Sequence, residues 1–274
     1  AYFYPGSLAD GRTFYRACVL AAADSRKAKR GRCAMASIQR AAFLAILLWL
    51  ALPAAANAGG VVTNCSNDAQ FSTLLASGGT VTFNCGGTGT AALITLSSTK
   101  TIGNGVDVTI EGGGNITLSG GGIRQLFYVS TRGRLTLNNL ILTNGSSFGG
   151  GAIRNDGALF IVGSTVSGNT ATSTSFGGAV RNDGSLTITD SVFADNTAPG
   201  GYGGAIDTGA TNSVVNVTRS QFRGNSAALG GGAIASNGTV TIIDSTFQNN
   251  STASSGGTSG GGAIETTNSL TVQR

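Results

Sequence analysis

Residues 177–206 read GGAVRNDGSLTITDSVFADNTAPGGYGGAI. The run that opens the stretch, Gly177-Gly178-Ala179-Val180, closes it as Gly203-Gly204-Ala205-Ile206. Working outward, a Gly-Gly-Ala-Ile/Val run begins at Gly150, Gly177, Gly203, Gly231 and Gly261, at intervals of 27, 26, 28 and 30 residues. A second landmark follows the first four: Val166-x-x-Asn169, Phe193-x-x-Asn196, Phe222-x-x-Asn225 and Phe247-x-x-Asn250. Its offsets from the first glycine are 16, 16, 19 and 16, so the third repeat carries three extra residues around Thr208 to Asn212. Ile141-x-x-Asn144 fits the same frame as an earlier half-repeat. Between the landmarks lie alternating triplets such as Leu135-Thr136-Leu137, Leu186-Thr187-Ile188, Val240-Thr241-Ile242 and Leu270-Thr271-Val272.

Apolar, other, apolar is the pattern of a strand with one face buried. Turn signals such as Asn155-Asp156-Gly157 and Asn182-Asp183-Gly184 break the strands,. No repeat has the ten or so residues at helical spacing that a crossover helix needs. Short strands, glycine corners and one repeat per coil predict an all-β parallel solenoid, in which stacking buries a face that no coil can bury alone. Like residues then stack on like. Ile141, Val166, Phe193, Phe222 and Phe247 form one interior column, and Ala152, Ala179, Ala205, Ala233 and Ala263 another. Asn144, Asn169, Asn196, Asn225 and Asn250 form an inward amide ladder, and the glycine pairs turn the chain with positive φ. Three residues before the phenylalanine column stand Asn138, Gly163, Asp190, Arg219 and Asp244, with Arg274 next in frame. From Asp190 onward the signs alternate, which predicts an outward charge ladder of Asp190, Arg219, Asp244 and Arg274.

Gly-Gly-Ala-Ile paired with Phe-x-x-Asn resembles the repeat of the polymorphic outer membrane proteins of chlamydiae, which recurs in bacterial secreted proteins of the pectate-lyase-like fold. The resemblance covers about residues 134–274. The front of the chain is similar too: Asn84-Cys85, Ile94 to Ile102, and Glu111-Gly112-Gly113-Gly114 before Ile116-Thr117-Leu118. It implies a right-handed parallel β-helix in an extracellular or outer-membrane setting, and it does not imply an enzyme. Asp68 to Ser77 carries Phe71, Leu74 and Leu75 at helical spacing, so a short N-terminal capping helix is expected over the first coil,.

The formal charge of +5 suggests anionic partners until it is located. Residues 1–58 hold eight basic and two acidic residues, whereas residues 59–274 hold nine basic and ten acidic, a net of −1. The repeat region therefore offers no phosphate-tracking patch, and nucleic acid is disfavoured as a partner. Arg40, the apolar run Ala41 to Leu52, Pro53 and Ala56-Asn57-Ala58 read as a signal peptide cut after Ala58,. The apolar run is too short for a membrane span. Met35 is the single methionine, which makes 35–58 the signal peptide and 1–34 upstream translation. Residues 59–100 are then the cap and first strands, and 101–274 the β-helix. Arg274 aligns with Asp244, so the fifth repeat stops before its Phe-x-x-Asn half and the chain reads as a fragment of a longer protein. In an exported chain Cys65 and Cys85, the two cysteines beyond the leader, are expected to form a disulfide worth about 3 kcal/mol,.

The chain has no histidine, which removes Ser-His-Asp and Cys-His catalysts and histidine metal sites,. A glycosidase needs two carboxylates about 5–10 Å apart in a cleft. Asp156, Asp183, Asp195, Asp207 and Glu265 read as single turn residues, so no catalytic, cofactor or metal site is expected. A calcium-binding roll would need tandem nonapeptides, which do not occur. The reading is a secreted or surface-exposed, adhesin-like scaffold whose ligand is an unknown protein or glycan. A polysaccharide lyase or glycoside hydrolase of the same fold is the alternative.

Overall fold

The computed structural model describes residues 58–274 other than 88, 173–175 and 254–260. The expected leader, apart from Ala58, and the upstream segment 1–34 lie outside the described residues. The described residues wind as a parallel β-solenoid with two sheets, of 18 and seven strands, and among them is a single helix, α1 (Ala69–Ala76), at the front. No helix among the described residues is long and apolar enough to cross a membrane.

Each complete coil repeats one path, and the register shows why the sequence repeats. In the second full coil a strand of the smaller sheet, Val180–Asn182, turns through Asp183-Gly184 into Ser185–Thr189; Val192–Ala194 and Thr197–Ala198 follow. Leu186 pairs with Leu159 on one side and Val215 on the other, and Ile188 with Ile161 and Val217. The buried residues of each triplet thus form two continuous apolar columns. The three extra residues of the third repeat lie between Thr208 and Val214, because Asn182 and Ser185 match those two across the coil.

Val166, Phe193 and Phe222 are fully buried, and Phe247 is partly buried against the same core. The Phe193 and Phe222 rings stack at 4.9 Å, and Phe222 and Phe247 at 4.8 Å, which is the strand spacing itself,. One expected member is displaced. Val166 pairs with Leu142, not Ile141, and Asn144 is exposed, with φ 51°. The frame there is set by Leu135, Leu137 and Leu142, whose burial outweighs the Asn144 landmark. Gly145 occupies the ladder position, and its N–H donates to Asn169 Oδ1. The same shift puts Asn139, with φ 52°, and not Asn138, in register with the column of Gly163 and Asp190.

The glycine pairs work differently from expectation. Gly150, Gly203 and Gly231, first in their pairs, have positive φ. The second glycines, Gly178, Gly204 and Gly232, lie outside that region, and a Cβ there would overlap the carbonyl oxygen of the next coil. They are small because successive corners touch.

Helix α1 buries Phe71 and Leu75 and half-buries Leu74. Two links tie it down. The Cys65–Cys85 disulfide spans a Cα–Cα distance of 5.5 Å. Asp68, at the helix start, receives Lys100 Nζ at 2.5 Å and the Ser97 N–H at 2.7 Å. Burial pushes the Asp68 pKa up, but Lys100 and the Ser97 donors outweigh it and hold it below the usual value. Both partners are buried, so losing either would strand a charge,.

Candidate functional site

The expected ladders are internal and structural. Asn169, Asn196 and Asn225 are fully buried. Each donates its amide to Oδ1 of the next coil's asparagine at 2.9 Å, ending on Asn250. Each carboxamide oxygen also caps the preceding asparagine's N–H, and Asn196 and Asn225 donate back to the carbonyls of Val166 and Phe193. A serine ladder the sequence reading missed runs beside it: the N–H groups of Ser164, Ser191 and Ser220 donate to the hydroxyls of Ser191, Ser220 and Ser245. The recurrent serine two residues before the Val/Phe column is its signal.

Of the charge ladder, Arg219 lies on Asp190 with paired contacts, Nε–Oδ1 2.7 Å and Nη2–Oδ2 2.8 Å. The Arg219 guanidinium holds the Asp190 pKa below the ordinary carboxylate value. Asp244 and Arg274 are exposed and form no ion pair with each other among the described residues. An exposed pair gains at most about 1 kcal/mol, so the column does not depend on every pair forming. The ladder is thus one pair.

The concave chemistry is on the seven-stranded wall. Its outward column runs Thr101, Tyr128, Arg154, Arg181, Asp207, Ala235, Glu265, one residue per coil. Asp207 and Glu265 are therefore strand residues, not the turn residues expected; the period-2 alternation of a three-residue strand is too short to recognise. They share one cavity of about 320 Å³ with Arg181, Tyr202 and Asn237. A second cavity, of about 330 Å³, is lined by Gln125, Phe148, Arg154, Phe176, Arg181 and Asp183. Arg181 belongs to both.

Arg181 is committed on every side. Its Nε donates to Asp183 at 3.0 Å, its Nη1 donates to Asp207 at 2.5 Å, and its guanidinium lies 4.2 Å over the Phe176 ring. Asp207 is only 6% exposed. Burial drives its pKa up to about 7, which Arg181 opposes and Asp183 reinforces. In the coil before, Arg154 pairs with Asp156 at 3.1 Å and lies over Tyr128, whose hydroxyl donates to Asp156. That bond raises the Tyr128 pKa. Glu265 Oε2 is buried with no hydrogen-bond partner among the described residues.

Aromatic residues border the wall. Phe176 and Tyr202 immediately precede glycine pairs, and Phe148 stands two residues before Gly150. Phe148, 69% exposed, meets Phe176 edge-on at 5.6 Å. The aromatic before the corner, and the charged residue four after its first glycine, were both legible in the repeat frame. Among the described residues no group of three or more cysteine, aspartate or glutamate residues could hold a metal ion.

Fold and wall together define a parallel β-solenoid with one aromatic and charged side face. No protein-family profile matches the chain, and no curated protein sequence matches it.

Proposed function

We propose that this protein is an exported, surface-exposed scaffold of adhesin-like function, and that its seven-stranded wall is the ligand-binding face. The observation that carries the reading is the pair of cavities sharing Arg181, one aromatic and basic, the other acidic. Binding sites combine apolar surface with a few fixed polar groups, and here ion pairs hold those groups,. The leader-like sequence at 35–58, the disulfide and the likeness to chlamydial outer membrane protein repeats support the exported setting. The test is an array of glycans and surface proteins probed with the full chain and with Arg181→Ala. Binding that depends on Arg181 supports the reading; binding indifferent to it overturns the assignment to this wall. N-terminal sequencing of the exported product tests the leader, with a start at Gly59 expected.

A second reading has one specific observation behind it. Asp207 and Glu265 are two ladder steps apart, about 9–10 Å along the wall,. Inverting glycosidases space their carboxyl groups at about 6.5–9.5 Å, and a carboxyl titrating near 7 suits a general acid,. Against it, Asp207 Oδ2 is bound by an arginine that favours the ionised form,. Reducing-sugar and β-elimination assays on pectin, alginate and neutral glycans, with Asp207→Asn as control, decide between the readings.

A further inference from the structure

We infer that the wall takes an uncharged oligosaccharide lying along the solenoid axis across both cavities, in preference to acidic and basic polymers; this rests on the reading of the wall as a binding face. The two cavities differ in their electrostatics. The first carries the carboxylates of Asp207 and Glu265. It holds one cation, Arg181, which Asp183 and Asp207 already share. A uronate entering there meets like charge and finds no free guanidinium. The second carries Arg154 and Arg181. Both are already paired, Arg154 with Asp156 and Arg181 with Asp183, so the cavity offers an ionic ligand no free counter-charge, and the cation sites on the Tyr128 and Phe176 rings are filled by the protein's own arginines,.

A ligand crossing both cavities is therefore repelled in the first if it is anionic and gains nothing in the second by carrying a charge, which favours a neutral one. What the wall leaves unsatisfied is specific. Among the described residues Glu265 Oε2 is a buried acceptor without a donor, and such an atom favours a ligand that brings one. Phe148 offers an exposed apolar ring at the other end. Hydroxyl groups supply donors without charge, and the C–H faces of sugar rings lie flat on an aromatic. The column from Arg154 to Glu265 covers four coil steps, about 19 Å, the reach of several linked rings rather than one small molecule,.

The test is calorimetric titration of the full chain with hexasaccharides: cello-, xylo-, manno- and laminarihexaose as neutral probes, hexagalacturonate as the acidic probe and a chitosan hexamer as the basic one. A neutral hexamer is expected to bind at least tenfold more tightly than either charged one. Phe148→Ala, at an exposed position, and Glu265→Gln are each expected to weaken it at least fivefold, with circular dichroism showing that both variants fold. If a charged hexamer binds most tightly and still depends on Phe148, the wall is a binding face but the ligand class is wrong. If no hexamer binds, or if neutral binding ignores both substitutions, the inference fails; if binding on the surface-protein array then still depends on Arg181, the wall reading survives it.

Discussion

Arg181 joins two carboxylates on successive coils: its Nε holds Asp183 in its own coil, and its Nη1 holds Asp207 in the next. The pairing ties the acidic cavity to the aromatic one. Arg181 is only 15% exposed, so water screens the contact little,. Asp207 nevertheless keeps a raised pKa, because burial outweighs its partner.

Stability should depend on pH through Asp207. Its carboxyl titrates near 7 in the folded chain against 3.8 as the ordinary value. Between those limits the folded state binds the extra proton, so this group's contribution is fully present below about 3.8 and is lost as pH rises through about 7. Asp207→Asn should flatten that part of a melting-temperature profile. An unchanged slope between pH 4 and 7 would contradict the assignment.

The stacked rings should behave as core. Phe222 is fully buried between Phe193 and Phe247, so Phe222→Ala should cost about 3–5 kcal/mol in chemical denaturation. A loss below 1 kcal/mol would mean the column is not packed as described.

Asn196→Ala should cost more than its small size suggests. It removes the acceptor for the Asn169 amide and N–H, and the donor to Asn225 and the Val166 carbonyl. Each buried group left without a partner costs about 1–3 kcal/mol. Asn196→Asp is the sharper variant, since it keeps the shape while losing the donor; native-like stability in both would remove the ladder from the account.

Arg219 has φ 46°, a left-handed backbone that costs a bulky residue,. Its ion pair with Asp190 is half-exposed. Arg219→Gly should therefore melt at or above the wild-type temperature. A marked fall would show that the pair matters more than the backbone strain.

The solenoid was legible because its stabilising interactions are repeated. A residue that must stack on its own kind at every coil imprints the period on the sequence, which is why Phe193, Phe222, Asn169 and Asn225 could be placed without coordinates. The disulfide between Cys65 and Cys85 was expected because they are the two cysteines beyond the leader-like segment in a chain read as exported. Tertiary structure alone decided three things. It moved the first half-repeat by one residue, because burial of Leu142 outweighed the Asn144 landmark. It assigned the second glycines to contact between coils, which φ preference alone does not reveal. It also brought Asp207 and Glu265 out of apparent turns into one cavity. Their chemistry depends on neighbours about 26 to 30 residues away along the chain but roughly one coil spacing away in space. The repeat fixes the core side of each strand and leaves the outward side free, so periodicity carries the fold and marks the positions of the wall without showing which of its residues meet.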